Sequence, residues 1–383
     1  MKNVLLVFGG VSYEHDISIV TAFQIFKKTR LNDYKLVLFY ISRDGKFYVC
    51  DENKIKITDF AKNSFTGKEK GFKEVVFVSG EKQKLFAKTR FGLKEYLTSE
   101  VAIFACHGGD GENGRLVTYF ENNGIACSAG SSNALAVCMD KFLFKTISFG
   151  LKIPVVSGFK ITKLDLEINK NQIEKKLKKL EFPVIIKINS GGSSIGLFIA
   201  RDLDEFYEKA KEAFEFNDDL VIEKFISGAR EFNIAVLGDN EHLEISGIDE
   251  PIKNNDVLTF ADKYLSDSGL KKGSKGSMKS QQRILEVDLS EEIKSKIKKL
   301  AEKIFTKLGL IGIVRIDFLY SEKTGKLYVC EVNTIPGSLA YYLFKKNRVL
   351  TNDLMKKLID IALKNYNTHR PKKEFMVDVL TKK

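Results

Sequence analysis

Residues 314–337 read VRIDFLYSEKTGKLYVCEVNTIPG, and four of their side chains could do chemistry together. Two apolar runs flank the polar turn SEKTGK, which is hairpin patterning. Arg315 and Asp317 on one run, Glu331 and Asn333 on the other, recur at spacing two and so share a face of their strand. With pairing symmetric about Thr324, Asp317 lies opposite Glu331. Opposed like charges destabilise a sheet pair and resist double ionisation. A divalent cation removes the conflict, and two carboxylates with an amide oxygen are hard ligands suited to Mg²⁺. That ion retains waters and takes phosphate oxygens, so the hairpin predicts a nucleoside triphosphate. Arg315 on the same face can neutralise charge developing in a transition state. The competing reading is a structural cluster in which Arg315 simply pairs with Asp317.

The phosphates need a second holder. The nearest P-loop decoy, GSKGSMKS at 273–280, lacks Gly before Lys279 and lies in no strand–helix context. FPVIIKINSGGSSIGLFIA supplies an alternative: Lys187 ends a strand, and a Gly/Ser turn from Ser190 to Ser194 can close over phosphates with backbone N–H groups and hydroxyls. Read alone, it is also an ordinary hairpin loop. LVIEKFISGARE places Glu223 at a strand end and Glu231 eight residues later, suited to an adenine amine and ribose hydroxyls. AIFACHGGDGENGRL contains Gly109-x-Gly111-x-x-Gly114, formally a dinucleotide fingerprint. Asp110 and Glu112 would sit badly beside a pyrophosphate there.

The elements that must position these groups follow from patterning. The 383 residues suffice for two or three domains. In 1–130, NVLLVF, KLVLFYI and VAIFAC alternate with the helical ISIVTAFQIFKK and RLVTYFENN, predicting an α/β domain with a largely parallel sheet. A Ser-Ser-Asn cap near 131 opens one long helix ended by Gly150. Strands VVSGFKI, PVIIKI, GLFIA and LVIEKFI around helices 173–180 and 203–215 predict a small α+β domain over 131–226. Residues 227–365 hold a strand, REFNIAVLG, an aperiodic stretch at 251–280 that reads either as disordered or as a mobile active-site loop, helix 290–307, the opening hairpin and a helix near 351–364. The tail 366–383 is peripheral.

Composition narrows the class. Apolar residues make up 44% and charged residues 29%, a soluble profile without a membrane-spanning run. The net charge of +12 (62 basic against 50 acidic) comes from lysines spread among glutamates, which reads as solvated helix faces rather than a nucleic-acid footprint. Five scattered cysteines without a CxxC pair predict reduced thiols, no zinc site and a cytoplasmic setting.

Eight segments in order, GGVSYEHDIS, HGGDGENG, MDK at 139–141, IKINSGGSSIG, IEKFISGARE, DKYLSD, VRIDF and EVNTIPG, resemble the ATP-grasp superfamily, and within it the D-alanine–D-alanine ligase family. The resemblance spans about residues 1–365. It implies three α/β domains with ATP clamped between the central and C-terminal ones, two Mg²⁺ (Mn²⁺ as an alternative ion), and commonly a homodimer. By position, Lys141 and Lys187 would contact phosphates under a Gly192-Ser193-Ser194 lid. Glu223, Lys224 and Ile226 would line the adenine pocket, Glu231 would hold the ribose, and Asp317, Glu331 and Asn333 the metal. Glu14 would take the first substrate's ammonium, linked through Ser193 to Tyr264, with His107 nearby. Arg315 and the Gly337 N–H would form an oxyanion hole.

Two departures stand out. Ile188 follows the lid lysine where the family usually has Pro. In PGSLAYYLF, Tyr342 falls where many members place a Ser that holds the second substrate's carboxylate. Ser338, Tyr342 or Leu343 would then line that pocket, with Lys263 supplying charge. The Lys263-Tyr264 pair matches ligases that prefer a D-alanine amine; the sister activity is addition of D-serine or D-lactate.

Overall fold

The computed structural model describes residues 1–61, 65–252, 283–285, 287–347 and 351–368. The VLLVF run predicts a fully buried strand, and β1 (Lys2–Gly9) is one: Val4 to Phe8 are inaccessible. It is central in an eight-stranded sheet with β2 (Tyr34–Ile41), β3 (Phe47–Cys50), β4 (Phe72–Val76), β5 (Lys84–Thr89), β6 (Gly92–Thr98), β7 (Val101–Phe104) and β8 (Ala126–Cys127), ordered β6-β5-β4-β3-β2-β1-β7-β8. The half β2-β1-β7-β8 is parallel, as expected. The half β3 to β6 is antiparallel, so the sheet is mixed rather than largely parallel. The sequence hides those strands because charges interrupt them, and β6 is exposed along nearly its whole length. Short turns at 42–46 and 90–91 join β2 to β3 and β5 to β6, and only antiparallel neighbours can be joined so closely.

Helices α1 (His15–Lys28), α2 (Gly109–Glu112) and α3 (Arg115–Asn122) complete this first layer. The single helix expected from 131 to 150 is two, α4 (Ser132–Met139) and α5 (Lys141–Gly150). Asp140 makes the break: its carboxylate accepts from the Leu143 N–H at 2.7 Å and caps the second helix. Lys141 therefore stands at a helix start, against Asn189, whose carbonyl accepts its N–H at 3.1 Å.

The central sheet is antiparallel, ordered β11-β10-β12-β9, from β9 (Gly158–Thr162), β10 (Val184–Ile188), β11 (Phe198–Ala200) and β12 (Asp219–Lys224). Helices α6 (Lys163–Ile168), α7 (Lys170–Leu180) and α8 (Leu203–Ala213) enclose a core built on Leu177, Ile186, Phe206 and Ile222. The third sheet, ordered β15-β14-β13-β16-β17, uses β13 (Arg230–Gly238), β14 (Leu243–Pro251), β15 (Arg283–Ile284), β16 (Gly312–Ser321) and β17 (Lys326–Asn333). Helix α9 (Glu291–Lys307) lays Ile297, Ala301, Ile304 and Phe305 on it, one face at helical spacing.

Two seams cross the expected divisions. Ala134, Cys138 and Phe144 of the 132–150 helices pack into the third core. Helix α10 (Thr351–Thr368) packs Leu354, Met355, Leu358 and Ile359 into the first. Among the described residues, no helix is long and apolar enough to cross a membrane.

Candidate functional site

The hairpin β16–β17 pairs Asp317 with Glu331 and Arg315 with Asn333, the register that symmetry about Thr324 predicts. A bulge produces it. Nearer the turn Phe318 faces Val329, so Cys330 is the extra residue. On the other side Asn233 faces Asp317 and Asp249 faces Asn233. Registered partners share a face, so Asp249, Asn233, Asp317 and Glu331 form one polar row across four strands.

The Arg315 guanidinium takes both Asp317 oxygens, Nε to Oδ1 and Nη2 to Oδ2, each at 2.7 Å. Asn333 Nδ2 donates to Oδ2 at 2.9 Å. Burial pushes the Asp317 carboxyl up and Arg315 holds it down, while Glu331 and Glu231 push it up again. The donor set suits a hard divalent ion: buried Asp317 with half-buried Glu331 and the Asn333 amide, and one guanidinium against them. Among the described residues, no group of three or more His, Cys, Asp or Glu is placed to hold a metal. An ion that keeps waters and shares phosphate oxygens needs no third carboxylate.

A cleft of about 870 Å³ opens between the central and third sheets. Lys141, Lys187, Gly192, Ser194, Glu223, Lys224, Ile226, Glu231, Asp317 and Glu331 all line it, with apolar Val156, Ile185 and Leu319. Glu223 is buried and doubly paired, to Lys187 at 2.8 Å and Lys145 at 2.7 Å. Burial works against its charge, yet the two lysines hold its pKa down at about 2. Burial likewise opposes the Lys187 ammonium, and Cys330 and Glu223 raise its pKa. Burial lowers that of Lys141, whose ammonium donates to the Gly191 carbonyl. Lys224 reaches outward instead, to Glu181 at 2.7 Å, so its side chain faces the rim.

Glu14 lies against the Gly192–Ser193 turn. Its carboxylate accepts from the Ser193 hydroxyl. Two glycines crowd it: a Cβ at Gly192 would stand 2.8 Å from Oε2, and one at Gly108 2.7 Å from it. Ser193 and Ser194 adopt left-handed φ of 54° and 60°, a cost that side-chain-bearing residues accept where the surroundings dictate the turn. His107 is buried, its Nε2 is 2.8 Å from Thr21 Oγ1, and burial lowers its pKa to about 4.

Past the hairpin, a Cβ at Gly337 would meet nothing within 4 Å, so that backbone borders open space. Ser338, Leu339 and Ala340 then turn left-handed at φ 54°, 48° and 46°. Ser338 is drawn away from the cleft: its hydroxyl donates to Gln24. Leu343 packs in the first core, which leaves only its main chain for a ligand. Among the described residues, the buried Tyr342 hydroxyl has no hydrogen-bond partner. Lys263, Tyr264 and the loop expected at 251–280 lie outside the described residues, apart from the loop's first two positions; so does the tail from 369.

Two site residues escape the sequence reading. Lys145, on the ion pair with Glu223, follows Lys141 by four positions on α5, and that helical spacing was the available signal. Glu112 accepts from the Gly108 N–H at 2.8 Å and the Ile335 N–H at 3.3 Å, tying the glycine loop to NTIPG. Burial and the Glu14 charge raise its pKa. Its chemistry was read as an objection to a pyrophosphate, and nothing in the sequence showed it facing Ile335.

Residues 3–130 match the family model described as D-ala D-ala ligase N-terminus, and residues 147–360 that for D-ala D-ala ligase C-terminus. The chain is 33% identical over 368 residues to a D-alanine--D-alanine ligase of Thermosipho melanesiensis, covering 96% of this chain and 95% of that one. It is 35% identical to one of Campylobacter jejuni, covering 96% of each. Its fold is similar to the D-alanine-D-alanine ligase structure from Coxiella burnetii, at TM-score 0.77, 24% identity and coverage of 96% and 95%. The VanG D-Ala:D-Ser ligase of Enterococcus faecalis gives TM-score 0.77, 24% identity and coverage of 94% and 99%.

Proposed function

The chain belongs to the D-alanine–D-alanine ligase family and joins two D-alanines with ATP through a D-alanyl phosphate, a step toward peptidoglycan, and from that premise we propose how its residues divide the work. The observation that carries the proposal is the meeting of three groups in one place. The lysine-lined cleft, the Asp317–Glu331 row and the Glu14–Ser193 pair converge on the lid.

ATP lies in the cleft, with adenine against Glu223, Lys224 and Ile226 and ribose on Glu231. Lys141 and Lys187 hold phosphates under Gly192, Ser193 and Ser194. Asp317, Glu331 and Asn333 would hold two Mg²⁺, or Mn²⁺; when bound, these ions neutralise phosphate oxygens. Glu14 takes the ammonium of the first D-alanine near His107, with Ser193 linking it to Tyr264. The carboxylate of that D-alanine attacks the γ-phosphorus and ADP leaves. The amine of the second D-alanine then attacks the acyl carbon, the oxyanion forms against Arg315 and the Gly337 N–H, and phosphate leaves. Position and charge neutralisation are what such a transfer requires. For the acceptor, Tyr342, Lys263, Ser338 and the Leu343 main chain are the candidates, and Tyr342 is favoured because Ser338 is engaged by Gln24.

The test is D-alanine-dependent ADP release with identification of the dipeptide; ADP release indifferent to any D-amino acid overturns the assignment. The sister activity, D-serine or D-lactate as acceptor, is favoured only by Tyr342 at the usual Ser position and is decided by a nucleophile screen. The proposal includes a cytoplasmic enzyme, supported by five free thiols, and a homodimer, checked by sedimentation.

A further inference from the structure

Tyr342 is held by a residue the sequence reading does not touch. The Arg283 guanidinium lies over its ring, 4.4 Å from the centroid. Arg283 is itself anchored, Nη1 to Asp249 Oδ2 at 2.7 Å, and Asp249 is fully buried at the end of the polar row. A cation over an aromatic face is attracted by the ring's electrons and fixes the plane of the ring. The other face of the problem is chain direction. After the left-handed turn at Ser338–Ala340, Tyr341 meets α1, where Lys28 donates to its hydroxyl, and Tyr342 lies within the electrostatic reach of Arg315. The Tyr342 hydroxyl ends there buried and, among the described residues, unpaired, which costs a folded protein stability unless a ligand supplies the partner.

Resting on the proposed ligase site, we propose that Arg283 is a positioning residue for the acceptor amino acid: anchored by Asp249 and laid on the Tyr342 ring, it aims the Tyr342 hydroxyl at the acceptor's carboxylate. The carboxylate accepts from that hydroxyl and lies in the field of two guanidiniums, Arg283 and Arg315. An acceptor without an α-carboxylate gains nothing from the arrangement.

The experiment separates the two half-reactions. Hydroxylamine attacks the acyl carbon of D-alanyl phosphate and releases phosphate, so D-alanyl hydroxamate reports the first half without an acceptor amino acid. Wild type, R283Q, R283K and Y342F are assayed for hydroxamate and for dipeptide over a range of D-alanine. Expected for R283Q is at least a tenfold fall in the ratio of dipeptide to hydroxamate, through a raised KM for the second D-alanine, with the ATP KM within twofold. R283K, which keeps a cation over the ring, recovers part of the ratio, and R283Q/Y342F falls no further than the worse single variant. An unchanged ratio in R283Q, or dipeptide and hydroxamate lost in parallel in both R283Q and R283K, overturns the proposal. Absence of hydroxamate in the wild type would instead overturn the ligase reading itself.

Discussion

Arg315 and Asp317, two residues apart on β16, close a bidentate ion pair whose bonds are both 2.7 Å. In the proposed function each is needed elsewhere: Asp317 for a metal, Arg315 for an oxyanion. The pair satisfies both charges until ligands separate them, since a buried carboxylate or guanidinium left alone is costly.

Asp317→Asn removes the charge that the metal and Arg315 share. Turnover falls by about 10³-fold or more, while the circular dichroism spectrum stays that of the wild type. A variant that retains activity in Mg²⁺ would refute the assignment of Asp317 as a ligand. Chelation with EDTA should likewise stop ADP release and excess Mg²⁺ restore it.

Lys145→Met leaves Glu223 with Lys187 alone. Breaking a buried pair costs about 3–5 kcal/mol, so a lowered melting temperature is expected together with a raised KM for ATP. Because Glu223 is held at about 2, its contribution is complete above its ordinary value near 4.5 and disappears as pH falls toward 2. The variant should therefore lose its difference from wild type in acid. Equal melting curves at pH 7 would show the pair to be idle.

Gly192→Ala tests the crowding of Glu14. The added methyl would sit 2.8 Å from a carboxylate oxygen, so either the lid or Glu14 must shift. The expected outcome is roughly a 10²-fold loss of kcat/KM for D-alanine, and calorimetry should show weaker nucleotide binding as well, because Gly192 also lines the cleft. Gly108→Ala adds a left-handed φ of 67° to the same clash and should be worse.

His107 is kept neutral by burial, with a pKa lowered to about 4. The unfolded chain binds a proton near 6.5 and the folded one does not, so stability is full above 6.5 and declines as pH falls toward 4. Between pH 6.5 and 5 the loss is roughly 2 kcal/mol. Urea denaturation across that interval should show His107→Gln flatter than wild type by this amount; parallel slopes would remove His107 from the account.

The hairpin was readable because its turn and its period-two polar residues are local. The register about Thr324 came out right, but a bulge at Cys330 makes it so, and no feature of YVCEV announces a bulge. The helix break at Asp140 was legible in principle, as a capping residue inside an apolar run. The antiparallel half of the first sheet was not, because charged, exposed strands carry little hydrophobic period.

By itself the sequence determined the family and offered the residue types proposed to meet ATP, since motifs and periodicity are properties of short segments. The tertiary structure alone decided which groups are already committed. It paired Arg315 with Asp317, gave Glu223 to two lysines, turned Ser338 toward Gln24 and laid Arg283 on Tyr342. Those choices depend on side chains from 36 to 314 positions apart, or on rotamers within one strand, competing for the same few ångströms of buried space, and no local pattern records the outcome of that competition.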